Sequence, residues 1–129
     1  MEELFLENEY AEFKVIDGII HETFKPDLKI ITIEVATKIV ETRFEISNGI
    51  WMPIFIDLTN AIMADKQSRQ YWSQEQVFKY LTAIAVLVKN EFHRMGISFY
   101  IHFDKPAVPT KSFVDKEKAI NWLARFKNI

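Results

Sequence analysis

The chain has 129 residues, 49% hydrophobic and 26% charged, a size and balance that suit a single soluble domain with its own core and argue against a disordered chain. Its 16 basic and 18 acidic side chains leave a formal charge of −2 and are intermixed, which lacks the one-signed field that holds a nucleic-acid backbone. The absence of cysteine excludes disulfides, thiolate nucleophiles and cysteine-ligated zinc or iron–sulfur clusters, and fits a reducing interior.

The start, Met1-Glu-Glu-Leu-Phe-Leu-Glu7, is acidic where a secretory leader is basic. The longest apolar runs, residues 50–56 and 83–88, fall far short of the roughly 20 residues that span a bilayer. The sequence therefore predicts a cytoplasmic protein that does not enter a membrane. One domain over residues 1–129 is expected, with 1–9 as a mobile N-terminal segment.

Residues 10–24 hold two β-rich runs joined by Asp17-Gly18, a dipeptide that supplies the positive φ of a tight hairpin turn. A two-residue turn sets Ile16 opposite Ile19 and Val15 opposite Ile20. Phe13, Val15 and Ile20 then share a face with Glu22, so Glu22 marks either a sheet edge or a different register. Over residues 32–47, Ile33, Ala36, Val40 and Phe44 recur at offsets of three and four, and Val35, Ile39 and Ile46 widen the stripe. Thr32 fits an N-cap, Glu34 the first turn, and Asn48-Gly49 the C-terminus of that helix.

Residues 51–58 read as a strand apolar on both faces, as a sheet covered on both sides requires. A short helix over 65–72 follows. Ser73-Gln-Glu-Gln76 is a capping-box pattern that starts a second helical stretch to about Tyr80. Residues 82–88 form the next buried strand.

Residues 90–103 fit two patterns. Phe92, Met95, Phe99 and Phe103 stand at helical spacing, while Ile97, Phe99, Ile101 and Phe103 alternate as in a strand. The alternation of strands and helices elsewhere favours a helix, against a penalty of about 1 kcal/mol for Gly96. A short strand at 110–114 leads to Asp115, the expected N-cap of a last helix with Ala119, Ile120, Leu123 and Phe126 inward.

Four segments carry a family resemblance: Pro53-Ile-Phe-Ile-Asp-Leu58, Arg69-Gln-Tyr-Trp72, Ala83-Ile-Ala-Val-Leu-Val88, and Lys105-Pro-Ala-Val-Pro-Thr-Lys-Ser-Phe-Val-Asp-Lys-Glu-Lys-Ala-Ile-Asn-Trp-Leu123. With the order of elements, they resemble the SpoIIAA-like or STAS domain of bacteria, and more narrowly small stand-alone SpoIIAA-like proteins of unknown function. The resemblance implies an α/β fold with a mixed four- to five-stranded sheet, an N-terminal β-hairpin and about four helices, most of them on one face.

It also implies a site. In the STAS family the strand ending in Asp leads to a loop whose Asp-Ser or Asp-Thr, at the next helix N-terminus, is phosphorylated by a partner kinase. A dianionic phosphate there reverses the charge of a docking surface. Here Asp65 matches, but Lys66 and Gln67 stand where the hydroxyl is expected, and Ser68 is displaced by two positions. That departure weakens the phospho-switch reading.

Other chemistry finds little support. His21, His93 and His102 are scattered without metal-ligand spacing. No serine sits in a strained elbow beside a base, and the three glycines are too dispersed to cradle a phosphate. Glu2-Glu3 lies in the terminal segment, where a carboxylate pair stays solvated. No cofactor is implied.

The sequence thus points to a non-catalytic regulatory or protein-interaction module. The candidate partner-binding residues are Asp57, Thr59, Asp65, Ser68 and Arg69, although the turn and helix-start preferences of Asp and Ser account for Asp57, Asp65 and Ser68 better. The expected partner is a protein, with a homodimer open if Tyr71, Trp72, Tyr100 or the hairpin edge is exposed; nucleic acid and membrane are not expected. The alternative is a carrier of a small apolar ligand or nucleotide, with the Phe-rich segment 92–103 lining a pocket between sheet and helices.

Overall fold

The turn at Asp17-Gly18 organises one end of the sheet in the computed structural model, which describes residues 4–61 and 63–127. Asp17 and Gly18 both take positive φ, 51° and 76°. They leave Val15 opposite Ile20 and Ile16 opposite Ile19, the predicted register. In chain order the strands are β1 (Leu4–Glu7), β2 (Ala11–Ile16), β3 (Ile19–Phe24), β4 (Ile30–Ile31), β5 (Met52–Asp57), β6 (Met63–Ala64), β7 (Leu81–Leu87) and β8 (Thr110–Phe113). The helices are α1 (Ile33–Ser47), α2 (Lys66–Trp72), α3 (Glu91–Asp104) and α4 (Lys116–Leu123).

The main sheet runs β1-β2-β3-β5-β7-β8, with β1 and β2 antiparallel to their neighbours and the pairs β3–β5, β5–β7 and β7–β8 parallel. Six strands replace the four or five expected, because Leu4–Glu7 pairs along β2 from Leu4 opposite Val15 to Glu7 opposite Glu12. Residues 1–3, with the Glu2-Glu3 pair, lie outside the described residues. β4 and β6 form a separate two-residue parallel ladder.

Glu22 corrects both explanations offered for it. Its strand is interior, the register is as predicted, and yet its side chain is wholly buried. The reason is Arg43 of α1, whose Nε and Nη2 donate to Glu22 Oε1 and Oε2 at 2.6 and 2.9 Å. A bidentate guanidinium satisfies both carboxylate oxygens, so the pair tolerates burial.

α1 covers one sheet face with Val35, Ala36, Ile39, Val40 and Ile46. Thr32 precedes it in extended backbone without a side-chain cap bond, and Asn48, in the left-handed region at φ 50°, ends it. β5 is buried on both faces, as predicted: Ile54 and Ile56 face the α1 core, and Phe55 packs with Ala83, Ala85, Ala119 and Leu123 below α4. Tyr71 and Trp72 of α2 and Ile97 of α3 join the α1 side, so three helices share one face and α4 stands alone on the other.

The second helical stretch expected from Ser73 is only a 3-10 turn, Glu75–Phe78. Ser73 instead ends α2, and its hydroxyl donates to Gln70 O, which removes it as an N-cap. Residues 90–103 are helical. Asn90 Oδ1 accepts from His93 N at the start of α3, and a parallel connection from β7 to β8 requires such a crossover. Asp115 caps α4 as expected, accepting from the Glu117 and Lys118 amides.

Candidate functional site

α3 is held from both flanks. On one side Ser98 Oγ meets Ser112 Oγ of β8 at 2.7 Å, and on the other the Arg69 guanidinium of α2 lies 5.3 Å from the centre of the Tyr100 ring. No residue of α3 is fully buried. Its large apolar side chains point outward: Phe92, Met95, Phe99 and Phe103 are 87, 64, 65 and 72% exposed. Gly96, Ile97 and Ile101 line the space beneath it, with Phe92, His93 and Tyr100 also at its border.

The result is a cavity of about 730 Å³ between α3, α2 and the sheet. Phe24, Ile56, Ile84 and Val86 supply sheet residues, Trp72, Val77 and Phe78 a side wall, and Leu58, Thr59, Lys89 and Asn90 border it where β5 and β7 end. Small-molecule sites occupy roughly 300–1,000 Å³, and open α/β sheets place them at the carboxyl ends of parallel strands. Trp72 contributes a buried indole Nε1 with no hydrogen-bond partner among the described residues.

The residues singled out in the sequence divide between this cavity and the scaffold. Asp57 Oδ1 accepts from the Thr59 amide at 2.9 Å and from its hydroxyl at 2.5 Å, closing the turn after β5. Asp65 caps α2, accepting from Ser68 N at 2.8 Å and lying 2.6 Å from Ser68 Oγ. Those two bonds, with Arg69 nearby, hold the Asp65 carboxyl below its ordinary range. Ser68 is wholly buried, 3.0 Å from Ile31 O, while Lys66 and Gln67 are exposed.

Arg69 Nη1 donates to Ala64 O at 2.6 Å, which steadies the guanidinium over Tyr100. Thr59 and Arg69 line the cavity; Asp57, Asp65 and Ser68 do not. The Phe-rich segment divides too. Phe92 borders the cavity, whereas Phe99 and Phe103 stack on each other outside it, with ring centres 5.5 Å apart.

Sequence reasoning missed Arg43 and the lysines Lys29 and Lys89, all of which line the cavity. Arg43 left a signal: it occupies the inward stripe of α1 between Ile39 and Ile46, opposite the face that carries Glu22. The lysines left none, since each follows a different element and only the fold brings them to the same cavity.

A perturbed histidine lies elsewhere. His21 is half-buried beside the Phe55 ring on the α4 face, and burial, reinforced by Lys116 and Lys14, pushes its pKa down to about 4. Among the described residues no group of three or more His, Asp and Glu is placed to hold a metal ion. None of the described helices is long and apolar enough to cross a membrane.

No curated protein matches this sequence. Among solved structures the chain is similar to an uncharacterized protein of the DUF3478 family with a SpoIIAA-like fold from Shewanella loihica PV-4. The two are 16% identical with a TM-score of 0.56, over 95% of this chain and 92% of that one. At that identity the likeness concerns the fold, and it agrees with the SpoIIAA-like architecture expected from the sequence. A family model, the domain of unknown function DUF7793, matches residues 13–127, from β2 to the end of the described chain, and the protein belongs to that family.

Proposed function

We propose that this domain is a non-catalytic binding module of SpoIIAA-like type, and that it takes a small, largely apolar ligand in the cavity beneath α3. The cavity itself carries the reading: about 730 Å³ walled by Ile56, Ile84, Val86, Trp72 and Ile97, at the end of two parallel strands. A non-catalytic role is supported by the turn and helix-cap roles of Asp57, Asp65 and Ser68, which account for these residues without a substrate. Burial of Ser68 likewise argues for ligand occupancy over phosphorylation as the means of control.

The test is a titration with N-phenyl-1-naphthylamine, a neutral dye that fluoresces in apolar surroundings. One dye should bind per chain, and Ile97→Trp, which fills the space from a half-buried position on α3, should abolish binding without loss of the folded circular-dichroism spectrum. Equal binding by the variant, or none by the native chain, would contradict the proposal.

One observation favours a second reading. The outward row of Phe92, Met95, Phe99 and Phe103 is the sort of exposed apolar face that protein partners cover, a second copy of this chain among them. A protein partner would then meet α3 and not the Asp57–Arg69 segment, where Asp57, Asp65 and Ser68 serve turn and cap bonds. Sedimentation velocity of the native chain and of Phe99→Ser/Phe103→Ser tests the homodimer: a dimer that the double substitution dissociates supports it, and a native monomer rules it out.

A further inference from the structure

Granted the cavity reading on which this step rests, we infer that the ligand is an acidic amphiphile: an apolar chain or ring system ending in one anionic group, a carboxylate or a phosphate monoester. The charged lining is one-sided. Among the described residues, Lys29, Arg43, Arg69 and Lys89 border the cavity against a single carboxylate, Asp104, although the whole chain carries −2. Arg43 is already neutralised by Glu22. Lys29, Arg69 and Lys89 are not within ion-pair distance of any carboxylate among the described residues.

Hydrogen-bond chemistry points the same way. Several neutral polar groups of the lining are engaged: the Thr59 hydroxyl donates to Asp57, the Asn60 amide to Phe24 O and the Ser73 hydroxyl to Gln70 O, while Asn90 Oδ1 accepts from His93 N. The Trp72 indole Nε1, which has no partner among the described residues, is itself a donor. Lys29, Lys89 and Arg69 are donor-only side chains, so the ligand group they meet is an acceptor. Asp104 also borders a side recess with Lys66 and Arg69.

The ladder between β4 and β6 fixes part of this rim. Met63 N donates to Lys29 O, and Arg69 Nη1 donates to Ala64 O, so Lys29 and Arg69 flank the same two-residue strand. Lys89 follows β7, at the amino end of α3. An anionic head on this rim leaves the apolar body against Ile56, Ile84, Val86 and Ile97.

Displacement of the naphthylamine dye by four single-chain compounds, each below its micelle concentration, tests the class: dodecanoate, dodecyl phosphate, dodecanol and dodecyltrimethylammonium. At least one of the two acids should bind about tenfold more tightly than the alcohol, the margin of one charge-assisted hydrogen bond, and the ammonium compound most weakly. Which acid binds distinguishes the two head groups. Lys29→Gln/Lys89→Gln, two exposed positions, should erase that margin and leave dodecanol unchanged. Dodecanol equal to both acids, or the ammonium compound tighter than either, would overturn the acidic class while the cavity reading stands. Failure of all four to displace the dye would overturn the acidic class, and failure of the dye itself to bind would remove both.

Discussion

Breaking the Glu22–Arg43 pair should be the most damaging single polar substitution in this domain, and removing both members should be nearly harmless. Glu22 is fully buried and the Arg43 side chain is 8% exposed, with two bonds of 2.6 and 2.9 Å between them. At an effective dielectric near 20, opposite charges about 4 Å apart attract by about 4 kcal/mol. Arg43→Met therefore loses the attraction and leaves an uncompensated carboxylate between sheet and helix, a cost of about 3–5 kcal/mol. That is a large part of the roughly 5–15 kcal/mol that holds a domain together. Glu22→Leu leaves the guanidinium unpaired and should cost a similar amount. In Glu22→Leu/Arg43→Met both desolvation penalties vanish, and stability should return to within about 1 kcal/mol of the native chain or exceed it. Urea unfolding followed by circular dichroism, analysed as a double-mutant cycle, measures all four proteins. A cost below about 1 kcal/mol for Arg43→Met, or additive effects in the double variant, would refute the pairing argument.

Other outcomes follow from the same packing. Gly96→Ala should stabilise by about 0.5–1 kcal/mol in thermal unfolding, because the added Cβ meets nothing within 4 Å and a helix interior disfavours glycine. Phe99→Ser/Phe103→Ser should cost under about 1 kcal/mol in urea, whereas Ile54→Ala, at a fully buried position of β5, should cost about 2–5 kcal/mol. The His21 imidazole titrates near 6.5 when unfolded and near 4 when folded. Between those values the unfolded chain binds the extra proton, so stability should fall as the pH drops through that window and stay level above it. The loss should be on the order of 1 kcal/mol, since solvent screens a half-exposed group, and His21→Gln should flatten the profile.

Much of the fold was legible in the sequence because its signals are local. Asp17-Gly18 dictates a hairpin by backbone chemistry alone, and the apolar runs of β5 and β7 read as strands covered on both faces. The ambiguity at α3 was settled by topology: both patterns in residues 90–103 are real, and only a helix lets β8 return parallel to β7. β1 was missed because a Leu-Phe-Leu triplet between acidic residues reads as a terminus until β2 offers it a partner.

The candidate site was less legible. Periodicity marks the apolar side of a helix but not whether that side is filled, and on α3 the largest residues face outward. Glu22 was seen as an anomaly on an apolar face, but its resolution lies 21 positions away in Arg43. Of the proposed site residues, the fold draws Thr59 and Arg69 to the cavity and turns Asp65 and Ser68 to the cap of α2, a division set by contacts with α3 and β4 that no local pattern encodes.

The central claim is that a ligand enters beneath α3, and methyl-resolved NMR during titration with dodecanoate tests it most directly. The account predicts saturable shifts at Ile56, Ile84, Val86 and Ile97, with Ile19 and Leu123 on the opposite sheet face unmoved. Shifts confined to Met95 on the outer face of α3, or no saturable shift at all, would contradict it.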